Sequence, residues 1–409
     1  MLQQLFKHID SLHELALELQ TGLTARPAIG PGDGGDGELA RAEYLAKTLD
    51  RLGFPSIQWI KAPDDRVNCG FRPNLYTIIP GRDASRTFWI AAHMDVVPPG
   101  DLGLWQSDPF TLRREGDFIY GRGVEDNQQG LVSSILAAKA LLDLKLVPAC
   151  NLGLLLLADE EDMSELGAEY LLKHHPDLFG PADVFLAPDA GVEDGSQVEI
   201  AEKHMLWLKF TVTGKQCHAS MPQMGVNSLH AAAALIMRLD ELYERFPLRD
   251  NLYLPPGCTF SATRKEANVP NVAVIPGNDV FYFDCRILPQ YNIEDVLHAA
   301  SELAGAVAAQ YGVEIKCEEF RRQQAAAPTP QDAPIVRKTA RAVQTVYNVA
   351  PQFRGIGVGT VANFFRNSGF DSVVWMRTLN NPHTPNERAR LSFIVNDAKV
   401  MAATALDEN

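Results

Sequence analysis

Two imidazoles, His93 and His383, and the carboxylates of Asp95, Asp126, Glu160, Glu161 and Asp189 are the side chains of this sequence best suited to chemistry. Imidazole nitrogens and carboxylate oxygens suit Zn²⁺ or a similar divalent ion, and one carboxylate can bridge two ions. A two-metal site activates a water and polarises a carbonyl. That water needs a general base in reach which is not itself a ligand, and adjacent glutamates such as Glu160 and Glu161 can divide those roles. Each motif also has a plainer explanation. His93 and Asp95, two apart in extended chain, point to one side and can hydrogen-bond without any metal. Asp126 can be a helix N-cap, Asp159-Glu160-Glu161-Asp162 a solvated charge run, and His383, after Pro382, a surface or capped histidine.

The elements that carry these residues favour the chemical reading. Phe88–Ala92 reads as a buried strand ending at His93. Asn151–Ala158, a run of leucines, reads as a strand buried on both faces, and it ends in the four acids. Asp183–Ala187 is a further strand ending at Pro188-Asp189. Three strand ends therefore deliver His93, the Glu160/Glu161 pair and Asp189, where open α/β sheets place their sites. Gly121-Arg122-Gly123 precedes Asp126 at the start of a helix running to about Lys145. Helices are expected over the first ~20 residues and over Glu38–Arg51, with a glycine-rich loop over Pro27–Glu38 between them.

From about Val198 the texture changes to β-α-β-β-α-β, which suggests a small antiparallel sheet with two helices on one face. Gln323–Pro330 reads as a linker, after which α/β alternation resumes through helix Ala333–Tyr347, Gly355-Ile356-Gly357-Val358-Gly359-Thr360, strand Ser372–Met376 and a closing helix. The expected organisation is a catalytic domain in two parts (1–197 and 322–409) around an insertion (198–321). The expected fold is α/β, a mixed sheet flanked by helices with an inserted α+β, ferredoxin-like domain.

Composition bounds the function. At 409 residues two domains are the default. The 37 basic and 51 acidic side chains give a net charge of −14, which argues against a nucleic-acid or anionic-membrane partner. No apolar run approaches the ~20 residues of a membrane span. The amphipathic N-terminus lacks the apolar core of a signal peptide. Six scattered cysteines with no CxxC pair read as reduced, packed thiols. The cytoplasm is the expected compartment.

Taken in order, His93-x-Asp95, Asp126, Glu160-Glu161, Asp189 and His383 resemble the co-catalytic zinc aminoacylase/carboxypeptidase family, whose members include acetylornithine deacetylase, succinyl-diaminopimelate desuccinylase, carboxypeptidase G and cytosolic dipeptidases. The resemblance spans essentially the whole chain, and the stretches His93–Pro98 and Glu125–Gly130 look most like its archaeal and bacterial desuccinylase-like branch. It implies a zinc-peptidase-like catalytic fold, a lid and dimerisation role for the insertion, and two Zn²⁺ (Co²⁺ or Mn²⁺ as alternatives). By position, Asp126 would bridge the ions, with His93 and Asp189 on one, and Glu161 and His383 on the other. Glu160 would be the general base and Asp95 the orienter of His93. His218 resembles the inserted-domain histidine that reaches the partner subunit's site to stabilise an oxyanion. Asn271, Arg286, Gly359 and Thr360 match positions that contact a substrate carboxylate.

The resemblance thus implies a homodimeric di-zinc hydrolase of an amide bond next to a free carboxylate. An N-acyl amino acid leads as substrate, with a dipeptidase or carboxypeptidase as the alternative. A non-catalytic metal-binding protein on the same scaffold is the alternative of another class. A cysteine hydrolase using Cys217-His218 is disfavoured, because neighbouring strand residues face opposite sides. Two departures from the family pattern, Val361-Ala362 after Gly359-Thr360 and Asp162-Met163-Ser164 after the glutamate pair, are expected near the substrate pocket.

Overall fold

The computed structural model describes residues 1–408. It divides into two compact units, one made of Met1–Ile200, Pro328–Arg354 and the chain from Thr360, the other of Ala201–Ala327 and Gly355–Gly359.

The first unit is built on a mixed sheet. Strands Gln58–Pro63, Phe71–Ile79, Cys150–Leu157, Asp83–His93, Val184–Gly191, Asp371–Met376 and Gln197–Glu202 lie side by side in that order. Pairing is antiparallel among the first three. It is parallel from Cys150–Leu157 through Asp83–His93 and Val184–Gly191 to Asp371–Met376. Parallel strands must be covered on both faces, and the unbroken burial of Leu152–Leu157 follows from that. Helix Gln128–Asp143 packs against the sheet and against the closing helix Leu391–Leu406.

Close packing fixes the middle strands. Trp89 lies flat over Gly153, where an added Cβ would come within 2.2 Å of the indole. Its Nε1 donates to Asp183 at 2.8 Å, and the Asp183 carboxylate also accepts from the Thr87 amide at 2.7 Å. Phe185 stacks on Phe365 of helix Val361–Asn367, with ring centres 3.8 Å apart, and Phe179 meets both edge-on.

In the second unit, strands Thr259–Lys265, Asn278–Ile287, His204–Thr213 and Glu314–Gln323 form an antiparallel sheet in that order. Helices Ser228–Arg238 and Ile293–Tyr311 contribute to one core with Leu206, Leu208, Phe210 and Val212. The β-α-β-β-α-β order read from the sequence is the order observed.

Several local expectations shift. The N-terminal helix is two, Leu2–Ser11 and His13–Thr24, broken at Leu12. Helix Gln128–Asp143 is capped by Asn127, so Asp126 lies outside it and is not the N-cap. Gln323–Pro330 is not a loose linker. The Ala325 amide donates to His204 Nδ1 at 2.7 Å, and the Thr329 hydroxyl donates to the Ser372 carbonyl at 2.7 Å. A short strand, Gln352–Ile356, takes in the first two residues of the glycine-rich stretch and was not expected.

Because Phe365 pins its helix to the strand that carries Asp189, Phe365→Ala is expected to cost about 3–5 kcal/mol of stability. Urea unfolding followed by circular dichroism measures this. A cost below about 1 kcal/mol would show that the ring stack does not hold the strand.

Candidate metal centre

Parallel pairing explains how the cluster assembles. Neighbouring parallel strands end at the same edge of a sheet, so their carboxyl-terminal residues meet there. His93 is level with Leu157, three residues before Glu160. Ile90 is level with Leu186, and the same offset three residues on puts His93 beside Asp189. His93 Nε2 lies 3.4 Å from Asp189 Oδ1, 3.0 Å from Asp126 Oδ1 and 3.8 Å from Glu160 Oε2.

Asp126 and His383 arrive on loops. His383 Nε2 lies 3.2 Å from Asp126 Oδ2 and 3.2 Å from Glu161 Oε2. Asp126 thus offers one oxygen to each imidazole. Two donor triads result, His93–Asp126–Asp189 and Asp126–Glu161–His383, each with its ligand atoms within 4.8 Å of one another.

The donor set fits divalent cations. Burial and the Asp126 charge push Glu161 up to about 7, against the hydrogen bond from His383. Burial, with the charges of Asp189, Glu161 and Asp126, holds Glu160 well above the carboxylate range despite His93. Hydrogen bonds to Asp126 and Glu161 raise His383 to about 10. Burial works against the charged form of His93, yet Glu160, Asp126 and Asp189 raise it well above its ordinary value. Protons on these imidazoles occupy the place a cation would take among the carboxylates. The other oxygen of Glu161, Oε1, is buried with no hydrogen-bond partner. The Glu160 carboxylate makes no hydrogen bond among the described residues, which leaves it open to a water.

A surrounding layer of buried acids holds the loops, and most of it was not singled out from the sequence. Asp95 serves His93 only in part: His93 Nδ1 is 3.2 Å from the Asp95 carbonyl and 3.4 Å from its Oδ1. The Asp95 carboxylate accepts instead from the amides of Glu160 (3.1 Å) and Glu161 (2.9 Å), fixing the turn that presents both. Glu387 accepts from the amides of Gly123, Glu125 and Asp126 and from Arg122, all at 2.6–3.1 Å. Glu125 in turn accepts from the amides of Leu379 and Asn381 and from the Asn381 side chain. That second loop needs holding, since Asn380, His383 and Asn386 all have positive φ, a strained region for side-chain-bearing residues. Asn127 donates to the Asp189 carboxylate and to the Pro188 carbonyl. Behind the glutamates, buried Arg72 pairs with Glu38 and Asp159. The acids Glu125 and Glu387, adjacent to or four residues from a candidate ligand, were the available signal.

His218, Asn271, Arg286 and Gly359 belong to the second unit, whereas the triads belong to the first. His218 is exposed in a two-residue strand, with the Ser220 hydroxyl 2.8 Å from its Nδ1. The Cys217 thiol donates to the His218 and Met221 carbonyls rather than to an imidazole. Asn271 Oδ1 accepts from the Ala273 amide at 2.9 Å. Arg286 pairs with Asp284, and its Nη1 donates to the Gly357 carbonyl at 3.0 Å. Thr360 caps helix Val361–Asn367. Val361 and Ala362 are buried in the core with Phe365, so that departure from the family pattern is a packing choice. Met163 and Ser164 take positive φ in the turn after Glu161.

Comparison with known proteins agrees with this geometry. Residues 89–407 match peptidase family M20/M25/M40. Uncharacterised metallohydrolases of Methanocaldococcus jannaschii and Methanococcus maripaludis are 36% and 34% identical, covering 95% and 96% of this chain and 98% and 99% of theirs. A succinyl-diaminopimelate desuccinylase of Shewanella loihica is 26% identical over 91% of this chain and 94% of its own. Among solved structures, human carnosine dipeptidase 1 shares the fold with a TM-score of 0.81 at 18% identity, covering 99% of this chain and 98% of its own.

Two outcomes follow from the cluster. Glu160 and Glu161 have folded pKa values above their unfolded ones, so between those values the folded chain holds more protons and stability falls as pH rises. His93 and His383, also raised, lose their contribution as pH climbs through the folded value. Chelated protein should therefore melt at progressively lower temperature from about pH 5.5 to about pH 9, while added zinc stabilises more at each step as ligands deprotonate. A metal effect that shrinks with pH would contradict this. Separately, Glu387→Ala should weaken metal retention by about 10-fold or more in chelator competition, with Glu387→Gln intermediate. Unchanged retention would remove Glu387 from the support of Asp126.

Proposed function

The chain belongs to peptidase family M20/M25/M40 and is a metal-dependent hydrolase; from that premise we propose that it cleaves an amide bond adjacent to a free carboxylate, with N-acyl amino acids as the leading substrate class. The observation that carries this is the division of Asp126 between His93 and His383, with the unbonded Glu160 carboxylate beside them. Desuccinylase names among the relatives support the acyl amino acid branch.

In this proposal His93 and Asp189 would hold one divalent ion and Glu161 and His383 the other, with Asp126 able to serve both; zinc is the first expectation, cobalt or manganese the alternatives. Bound there, such ions supply Lewis acidity, which lowers the pKa of water and polarises an amide carbonyl. The chain's own residues do the rest. Glu160 takes the proton of the attacking water on its carboxylate and returns it to the leaving amine nitrogen. A base whose proton affinity is raised by burial and neighbouring acids suits both halves of that task. Asp95 keeps the Glu160 backbone in place while the proton moves. Arg286, with Asn271, Gly359 and Thr360, is proposed to hold the substrate carboxylate, and a guanidinium suits it through paired hydrogen bonds. His218 is proposed to stabilise the oxyanion from a partner subunit, with the second unit forming the dimer contact.

Glu160→Gln should lower kcat by about 10²-fold or more while leaving metal content unchanged. The assay is amide hydrolysis by zinc- or cobalt-loaded protein on N-succinyl-diaminopimelate, N-acetylornithine, other N-acyl amino acids and dipeptides, each with a chelated control. Dipeptides cleaved in preference to acyl amino acids would move the protein to the peptidase branch. A Glu160→Gln enzyme that turns over normally would overturn the assignment of the base.

A further inference from the structure

The candidate metal centre lies at the carboxyl ends of the parallel strands of the first unit, and a separate cavity lies at their amino ends. Cys150, Val184 and Asp371 are each the first residue of a strand, and all three line it together with Arg86 and Phe88. The register sets Phe88 and Asp371 level with Val184, one on either side. Arg86, two residues before Phe88 on the same strand, shares that face. Ile335 and Lys338 of helix Pro334–Tyr347 and Ala405 of the closing helix cover the cavity. Its volume is about 150 Å³, enough to accept benzene in a protein core. Arg86 and His93 belong to one strand, and at ~3.3 Å per residue they lie about 23 Å apart. The cavity is therefore no part of the metal centre.

Its charged groups are balanced in sum but only partly matched in pairs. Two cations, Arg86 and Lys338, and two acids, Asp371 and Asp407, line it. Arg86 Nε donates to Asp83 Oδ2 at 2.9 Å, and neither Nη atom has a partner among the described residues. Lys338 Nζ donates to the Asp407 backbone carbonyl at 2.6 Å, and its other N–H bonds find no partner among those residues. The Asp407 carboxylate is engaged by Arg341 at 2.8 Å. Burial holds the Lys338 ammonium below its ordinary value against the pull of Asp407, and the Arg86 charge adds to the depression. The Asp371 carboxylate makes no hydrogen bond or ion pair among the described residues. Burial, with the charge of Asp332, raises it above its ordinary value. Phe88, Val184 and Ile335 supply apolar surface to the same cavity.

We propose that this cavity binds a small zwitterion, a free amino acid with a short aliphatic side chain, its carboxylate held by Arg86 and Lys338 and its ammonium by Asp371. A carboxylate alone would bring a second negative charge into the cavity beside the unpartnered Asp371. An amine alone would add a third cation to Arg86 and Lys338. A ligand with both charges answers both sets of groups and keeps the cavity neutral. The first turn of helix Pro334–Tyr347 brings the positive end of a helix dipole to the wall that carries Lys338, which favours the carboxylate there. Binding at this site does not depend on the proposed reaction. Hydrolysis of an N-acyl amino acid does release a free amino acid, and that link alone rests on the proposed function.

The test is calorimetric titration of the full-length, zinc-loaded protein with L-valine, with 3-methylbutanoate, which lacks the ammonium, and with 2-methylpropylamine, which lacks the carboxylate. Valine should bind about 10-fold tighter or more than either. Arg86→Gln and Asp371→Asn should each weaken valine by about 10-fold or more. Asp371→Asn removes an unpartnered charge and keeps the shape, so it carries the test alone should Arg86→Gln fail to fold. No binding of valine at about 10 mM, or either probe with a single charge binding as tightly as valine, would overturn the site. Valine affinity indifferent to the changes would overturn it too, by placing the ligand elsewhere, as at the metal centre. Amide turnover by the unaltered protein is measured separately. Its absence sinks the proposed function and leaves this site standing, whereas turnover with valine affinity indifferent to the changes does the reverse.

Discussion

Everything around the candidate centre answers one electrostatic constraint: four carboxylates, those of Asp126, Glu160, Glu161 and Asp189, are gathered within a few ångströms of one another and of two imidazoles. Like charges this close and this far from water raise each other's proton affinity. Burial of an unpaired carboxylate costs several kcal/mol, and the cost is relieved by a proton, a partner or a cation. The raised values of Glu160, Glu161, His93 and His383 are the proton solution to that problem. A divalent cation is the other solution, and it selects the deprotonated ligands that the protein must then hold in place.

Holding them is the work of a second set of acids. A carboxylate that accepts two or three backbone amides is satisfied without a counter-ion, and it ties down the loop that donates them. Asp95 does this for the Glu160–Glu161 turn. Glu387 does it for the loop carrying Asp126, and Glu125 for the loop carrying His383. The last two are reciprocal, each loop lending one glutamate to the other. A loop that depended only on its metal ligand would collapse or splay when the ion left. These loops keep their shape through bonds that involve no ligand atom, so the centre is preorganised before a cation arrives.

The sequence made the chemistry legible where residue type and strand periodicity coincide. His93, Glu160, Glu161 and Asp189 could be found because buried strands are recognisable and their parallel ends converge. The inserted sheet was legible from its β-α-β-β-α-β order. Loop residues were harder. Asp126 looked like a helix cap, and only the three-dimensional course of the chain shows that Asn127 takes that position. Glu125 and Glu387 had only their nearness to Asp126 and His383 to mark them, because hydrogen bonds to backbone amides leave no side-chain pattern in sequence. Asp95 carries a second task that was hidden for the same reason. The i, i+2 rule put it beside His93, where its Oδ1 lies 3.4 Å from Nδ1, and its carboxylate also accepts from amides some sixty-five residues away in the chain.

This division of labour bears on where specificity can reside. In the first unit nearly every polar side chain around the ligands already has a structural commitment: Asn127 to Asp189, Glu387 to Asp126, Arg72 to Glu38 and Asp159. Changing one to suit a new substrate would disturb the charge balance of the centre. The departures from the family pattern agree with that restriction. Val361 and Ala362 are core residues under the aromatic stack, and Asp162-Met163-Ser164 forms a turn with its own left-handed backbone.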